Sequence, residues 1–331
     1  MMPNRSVVLF GIQPTGFPHF GNYLGLLASI KPYTQVICCI ADLHALTSVN
    51  IASKWNIKLI AAFAIAVLMS ENSFENSIIY TQSSLTASTY LNWINICLSK
   101  QSDLERASSA CRSNNLGRIL YPCLMASDIL LCRPNCVAVG LDQSKHIEYV
   151  KSVVHKLNSI FQFKVGKKCV LMPNFIALPS TQLKVMSLQN PIRKMSKSDT
   201  SELSTLNILD TYYSIKLKLL LARTDCISLV PIKANLLHNR IGLIGLLKLY
   251  ASIVNTSIVN LTIKTGGINV QWLKTYLYKL VYFKLRGTKR RLSVYLKTPE
   301  FIDKILSKGN QSILDWSIKN TNHLKTILGL S

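Results

Sequence analysis

The 331-residue sequence predicts an α/β protein built on a parallel sheet, with a helical half behind it. Three observations carry this. Short β-branched runs alternate with helical stretches through the first half, the order expected of a parallel sheet. Helical segments cluster between the third and fourth of these runs. Beyond Ser201 the strand signals fade and helical spacing takes over.

In order, Ser6–Gly11 (SVVLFG) is a buried strand ending in glycine. Gln13-Pro14-Thr15-Gly16 is a turn, and Gly21-Asn22 opens a helix through Tyr23, Leu24, Leu26 and Leu27. Gln35–Ile40 is a second strand, Ser53–Ser70 an apolar helix and Ser77–Thr81 a third strand. Thr86–Leu98, Leu104–Cys111 and Tyr121–Leu131 are helices of an insertion over about 85–135. Cys136–Val139 is a further strand and His146–Phe161 a long helix. The sheet is expected to end near Lys184–Ser187, and Gln189–Thr200, rich in Lys and Ser, reads as a mobile loop. Leu206–Leu221, Ile241–Val254, Asn269–Phe283 and Glu300–Ser307 have helical spacing. The chain thus divides into a Rossmann-type domain over 1–200 and an all-helical domain over 201–331.

Charged residues make up only 16% of the chain, yet the net charge is +23. Such a one-sided set creates a positive surface field suited to nucleic acid. Compositional drift toward Lys, Asn, Ile and Ser gives the same charge without such a partner. The nine cysteines contain no C-x-x-C pair and no histidine cluster, which argues against structural zinc. Their odd number argues against a full disulfide framework and fits a reducing cytoplasm. The longest apolar run, Leu59–Met69, is eleven residues, well short of the roughly 20 that span a bilayer. The N-terminus has no signal-peptide core, so no membrane role is expected.

Two short strings carry chemistry. In Gly11–Asn22 a strand, a turn and a helix start succeed one another, and the unpaired N–H groups of a helix start attract anions. There Gly21 allows close approach, Asn22 can donate to phosphate or ribose, and His19 can donate to a phosphate gaining charge. Taken alone, a plain strand–turn–helix with a surface histidine explains this string equally well. In Arg193–Asp199, Lys194 and Lys197 flank Met195 and Ser196 and precede Ser198. Lysines on long stems can follow phosphate charge through a reaction. A solvated basic loop is the alternative, for which Met195 is an odd residue.

Together, His19-x-Gly21-Asn22 and Lys194–Ser198 resemble the signature pair of class I aminoacyl-tRNA synthetases. Three strings narrow the resemblance: Gly11–Gly16 (GIQPTG), Ala41–Thr47 (ADLHALT), and Gly140-x-Asp142-Gln143-x-x-His146-Ile147-Glu148. With Tyr121–Leu131 (YPCLMASDILL) they are similar to the bacterial-type tryptophanyl-tRNA synthetase family, from about Val7 to the C-terminus. Each string alone is only a hypothesis.

The resemblance implies ATP contacts at Gln13, Pro14, Thr15, Gly21 and Asn22, at Gly140, Leu141 and Asp142, at Val185, and at Lys194, Met195, Ser196, Lys197 and Ser198. His19, Asn22, Lys194 and Lys197 carry the catalysis. Asp128 accepts the indole N–H, a donor that needs an acceptor. Met125, Val137 and Val139 wall the ring, and His44 and Gln143 lie near the amino acid's polar end. Without its neighbours, Asp128 reads as a buried structural carboxylate. The implied substrates are L-tryptophan, ATP with Mg2+, and tRNA(Trp), with no resident metal. A homodimer joined through Thr86–Leu131 is also implied.

Departures from the family pattern are few. His19 stands where Thr is frequent. Residues 106–121 are shortened, and an ATP-contacting lysine there lacks a counterpart, leaving Arg112 or Arg118 as substitutes. Leu9 and Ala41 make the pocket looser. Lys284–Arg291 (KLRGTKRR) packs five cations into eight residues, as a solvated helix end or loop, or as a tRNA phosphate contact. A tyrosine-specific class I enzyme and a non-catalytic tRNA-binding relative remain as alternatives.

Overall fold

The computed structural model describes residues 7–30, 35–47, 56–71, 74–75, 77–108, 115–140, 143–165, 174–177, 185–195 and 201–330. The chain packs as two compact units. The first comprises Met1–Thr15, Ser29–Leu178 and Tyr295–Ser331, and the second Gly16–Ala28 and Pro179–Val294. This grouping by packing is a different cut of the chain from a single boundary at residue 200.

In the first unit, β1 (Val7–Ile12), β2 (Gln35–Ile40), β3 (Ser77–Thr81), β4 (Cys136–Val139) and β5 (Asn174–Ala177) form one sheet in the order β3-β2-β1-β4-β5. Every pairing is parallel. Parallel strands are covered on both faces, so their sequences are continuously apolar. Val8, Leu9, Val36, Ile37 and Cys38 are accordingly buried. The strand order reverses between β1 and β4, and ligands of such sheets bind beyond the strands' carboxyl ends at that point. Among the described residues the sheet ends at β5; of the expected end near Lys184–Ser187, residues 185–187 lie outside the sheet and Lys184 lies outside the described residues. Asn174–Ala177 (NFIA) has a single β-branched residue, too weak a signal to register as a strand.

Short α2 (Asp42–Ala45) follows β2, and α3 (Ile57–Ser70) is buried at every position from Leu59 to Leu68. The insertion between β3 and β4 holds α4 (Thr86–Leu98), α5 (Gln101–Ala107) and α6 (Leu116–Cys132), close to the expected helices. The expected end of the second helix, beyond 108, lies outside the described residues. α7 (Ser144–Val165) follows β4.

The last helix of the chain, Pro299–Leu328, belongs to the first unit and extends far beyond the expected Glu300–Ser307. Gly309-Asn310 looks like a stop in sequence but is a contact in space. A Cβ on Gly309 would lie 1.9 Å from the Ile79 carbonyl oxygen of β3. Asn310 Oδ1 accepts from the Thr81 N–H at 2.9 Å. The helix thereby covers the edge that β3 presents.

The second unit contains the start of α1 (Phe20–Ile30), then α8 (Tyr212–Leu220), α9 (Ile241–Val254), α10 (Ile258–Thr265) and α11 (Val270–Tyr295), which precede the Pro299–Leu328 helix, α12. Gly16, in the turn before α1, has φ +61°, a conformation that favours glycine. Leu243, Leu247, Leu261, Val270 and Leu273 form a core there. α8 starts at Tyr212, not Leu206, because Thr211 Oγ1 accepts from the Ser214 N–H and caps the helix there. α11 runs on past Phe283, so KLRGTKRR lies inside a helix rather than at its end or in a loop. Among the described residues no single helix is long and apolar enough to cross a membrane.

Candidate active site

Beyond the carboxyl ends of β1, β2 and β4 lies a cavity of about 470 Å³ inside the first unit. Small-molecule sites typically span about 300–1,000 Å³. Gln13, His44, Met125, Asp128, Val137, Val139, Gly140 and Gln143, all assigned by resemblance, line it.

α6 supplies one wall. Arg118, Tyr121, Met125 and Asp128 recur at helical spacing, so one face of the helix carries all four into the lining. Pro122 lies within this helix and lacks the N–H that would bond the Arg118 carbonyl. Ser108 Oγ donates to that carbonyl at 2.9 Å instead. The helix therefore continues through the proline with its orphaned acceptor satisfied.

Asp128 is buried, 5% exposed, and held from both sides. Ser88 Oγ donates to Oδ1 at 2.5 Å and Gln82 Nε2 to Oδ2 at 2.6 Å. Each carboxylate oxygen has a second lone pair, so acceptor capacity remains on the cavity side. Gln82 is fully buried, and its Oε1 accepts from the His44 N–H at 3.1 Å. One amide thus ties α2 to Asp128. His44 Nε2 stands 3.6 Å from Asp128 Oδ2, beyond hydrogen-bond reach, and His44 Nδ1 is buried with no hydrogen-bond partner among the described residues.

At the start of α7, His146 Nδ1 donates to Gln143 Oε1 at 2.6 Å. This assigns the other nitrogen as an acceptor, and the Tyr121 hydroxyl donates to His146 Nε2. With its oxygen so engaged, Gln143 presents an NH2 donor as its other polar group. The buried thiols near the sheet play no nucleophilic part: burial pushes Cys38 and Cys132 up to about 12, leaving them protonated at neutral pH. No group of three or more His, Cys, Asp or Glu suited to a metal occurs among the described residues.

The second unit holds the other string. His19 caps α1 through its side chain: Nδ1 accepts from the Gly21 N–H at 3.1 Å. Asn22 Oδ1 reaches back to accept from the His19 N–H at 3.0 Å. This is a capping box with imidazole in place of the usual hydroxyl. Because Nδ1 is the acceptor, the proton of the neutral ring sits on Nε2, the nitrogen suited to donate to an oxyanion. A Cβ on Gly21 would lie 2.9 Å from His19 Cε1, so the imidazole would have to shift to admit one.

Residues 185–195 form a tight hydrogen-bonded turn, which takes in 189–195, the described part of the loop expected over Gln189–Thr200. Met195 N–H donates to the Val185 carbonyl and Ser187 N–H to the Arg193 carbonyl, both at 2.9 Å. Met195 is 2% exposed, which explains an apolar residue between two lysines, while Lys194 is exposed. Ser196, Lys197 and Ser198 lie outside the described residues, as do Leu141, Asp142 and Arg112.

The structure thus gathers the amino-acid set around one cavity and places His19, Gly21, Asn22, Val185, Lys194 and Met195 in the second unit. Pro14 is buried and accepts from the Asn56 N–H, and Thr15 is partly buried. Gln82, Ser88 and Arg118's place in the cavity are the additions. Gln82 directly follows the carboxyl end of β3, a position where polar residues of parallel sheets serve sites.

Residues 2–245 match the family described as tRNA synthetases class I (W and Y). The tryptophan–tRNA ligase of Agrobacterium fabrum is 30% identical over 98% of this chain and 98% of its own. Tryptophanyl-tRNA synthetase of Mycoplasma pneumoniae superposes with a TM-score of 0.82 at 22% identity, covering 98% of both chains. The Campylobacter jejuni enzyme complexed with ADP and tryptophan superposes with a TM-score of 0.75 at 25% identity, covering 98% of this chain and all of that one. The sheet order, the cavity lining and these full-length similarities agree, and the chain belongs to the class I aminoacyl-tRNA synthetases, in the bacterial-type tryptophanyl-tRNA synthetase family.

Proposed function

We infer that the protein is a tryptophan–tRNA ligase. A carboxylate oxygen of tryptophan attacks the α-phosphorus of ATP, the bond to the bridging oxygen breaks, and pyrophosphate leaves. A terminal ribose hydroxyl of tRNA(Trp) then attacks the carbonyl of tryptophanyl-adenylate and AMP departs. No side-chain nucleophile is needed. Rate comes from alignment and from stabilising charge on phosphate oxygens. The observation that carries the amino-acid choice is Asp128, a buried acceptor on an otherwise largely apolar wall.

The site roles follow from this reading. Asp128 takes the indole N–H. Met125, Val137 and Val139 flank the ring, and His44 and Gln143 serve the polar end. Gln13, Pro14, Thr15, Gly21, Gly140, Leu141, Asp142 and Val185 bind ATP, delivered with Mg2+. His19 donates through Nε2, and Asn22, Lys194 and Lys197 stabilise phosphate charge, with Met195, Ser196 and Ser198 in the same string. The net charge of +23 and the exposed Arg286, Arg290 and Arg291 on α11 support tRNA as the partner. Exposed Trp93 on α4, at 66%, supports a homodimer through the insertion. A cytoplasmic place of action, a catalytic domain over 1–200 and an anticodon-binding domain over 201–331 complete the proposal.

Pyrophosphate exchange into ATP tests it. Exchange should depend on tryptophan and run at background with tyrosine. Exchange driven by tyrosine, or none with either, overturns it.

A further inference from the structure

His19 is held in place by backbone, and that backbone is held by a buried ion pair that the reaction does not otherwise use. All of these residues lie in the second unit. His19 forms an antiparallel bridge with Asn207. The Phe20 N–H donates to the Leu206 carbonyl at 2.8 Å, and the Ile208 N–H donates to the Pro18 carbonyl at 3.1 Å. Hydrogen bonds thus flank His19 on both sides, and the segment 204–210 decides where its Cα lies. Leu206 and Ile208 are fully buried, so the segment is packed as well as bonded.

Asp210 and Lys218 grip this segment. Lys218, in the last turn of α8, is 5% exposed. Its ammonium group donates to Asp210 Oδ1 at 2.9 Å, to Asp210 Oδ2 at 2.7 Å and to the Thr205 carbonyl at 2.9 Å, which uses its full donor capacity. Asp210 Oδ2 also accepts from the Asn207 N–H at 2.9 Å. The Asp210 carbonyl accepts from Lys289 Nζ of α11 at 2.5 Å. The pair therefore fixes the segment at residues 205, 207 and 210, on and around the residue that bridges to His19. Burying two charges costs desolvation that their attraction does little more than offset, so such a pair is a weak source of stability. What it supplies here is a fixed geometry for the backbone under His19.

We propose that Asp210 and Lys218 are positioning residues for adenylate formation. They hold the 204–210 segment so that His19 Nε2 meets the charge developing on phosphate, and they act through His19 rather than on substrate. The proposal rests on the tryptophan–tRNA ligase reading and on the role of His19 within it.

The test is a mutant cycle in pyrophosphate exchange that combines the double variant Asp210→Asn, Lys218→Met with His19→Ala. The double variant removes both charges together, so neither is left buried alone, and the amide oxygen still accepts from the Asn207 N–H. With His19 present it should lower kcat roughly 10- to 100-fold, the range for misplacing a catalytic group by about 1 Å. In the His19→Ala background it should lower kcat by no more than about twofold, since the group it positions is already gone. Tryptophan binding without ATP should stay within about twofold of wild type, because the cavity with Asp128 belongs to the first unit. A pair that serves folding alone costs the same factor in both backgrounds, and that result overturns the proposal. A folded double variant with wild-type kcat does so too, as does a loss of tryptophan binding that matches the loss of kcat. Asp210→Asn alone, which leaves the Lys218 bond to the Thr205 carbonyl, carries the cycle if the double variant does not fold; failure of both to fold makes the pair structural and sinks the proposal. Tryptophan-dependent exchange by the wild type, and its loss in His19→Ala, are read separately, which distinguishes failure of the ligase reading from failure of this proposal.

Discussion

Replacing Asp128 with Asn changes the chemistry of the cavity while keeping its shape. The carboxyl group accepts from Ser88 Oγ at 2.5 Å and from Gln82 Nε2 at 2.6 Å. An amide can preserve both contacts: its oxygen keeps the Gln82 bond, and its NH2 faces Ser88, whose hydroxyl rotates to accept. Two charge-assisted bonds become neutral, a loss of about 1 kcal/mol each. Relief from burying a charge offsets part of this, so the fold should survive with a net change of at most about 2 kcal/mol. The ligand has no such compensation. An indole N–H donated to a carboxylate is worth about 1.5–3 kcal/mol and to an amide oxygen about 0.5–1.5. The difference, about 1–2 kcal/mol, corresponds to a roughly 5- to 30-fold rise in KM for tryptophan. Asp128→Ala, by contrast, strands two buried donors at about 1–3 kcal/mol each and should visibly lower the melting temperature. Pyrophosphate exchange at varied tryptophan, with thermal melts of both variants, checks the argument. A folded Asp128→Asn protein with KM for tryptophan within twofold of wild type would refute the indole contact.

Three further outcomes follow from local geometry. Gly309→Ala gains about 1 kcal/mol of helix propensity but sets a methyl 1.9 Å from the Ile79 carbonyl oxygen, a backbone atom that cannot swing away. The clash should dominate, with a net destabilisation of about 1–3 kcal/mol and a melting point several degrees lower; an unchanged or raised melting point contradicts the packing of α12 on β3. Gly21→Ala should displace the His19 ring, lowering kcat for exchange about tenfold or more with little change in tryptophan binding, and a wild-type kcat would remove His19 from the mechanism. The hydrogen bond from Lys156 at 2.8 Å, followed by that from Arg106, holds the Asp103 carboxyl below its ordinary 3.8, although burial opposes this. A depressed folded value means stability that is present above about pH 4 and lost as pH falls through that value. Asp103→Asn should therefore lose up to about 1 kcal/mol at neutral pH and show a flatter acid limb; parallel pH–stability curves for the two proteins contradict this.

How much was legible in the sequence depended on how local the cause was. Gln35–Ile40, Ser77–Thr81, Thr86–Leu98, Cys136–Val139 and Ile241–Val254 are read at their bounds, because each is a strongly patterned run ended by a local signal. β5 and the length of α12 were not legible. NFIA of β5 carries one β-branched residue where the equally short CVAV of β4 carries two, and the glycine that looks like a stop is there because Ile79 approaches it. The same holds for the site. Asp128 was found through its surrounding string, but Gln82 and Ser88, which hold it, reach it across 46 and 40 residues. His19 and Gly21 point to a nucleotide in the sequence, and the structure adds a local reason, an imidazole cap that a Cβ on Gly21 would displace. Met195 stood out as misplaced in a solvated loop, and its burial beneath the 185–195 turn explains why.

The most direct measurement of the central claim is amino-acid-dependent pyrophosphate exchange by the wild-type chain, followed by charging of tRNA(Trp). Tryptophan should support exchange, tyrosine should not, and the charging rate should fall as salt rises, given the net charge of +23. Exchange that follows tyrosine, or that is absent with both amino acids while the protein is folded, contradicts the account.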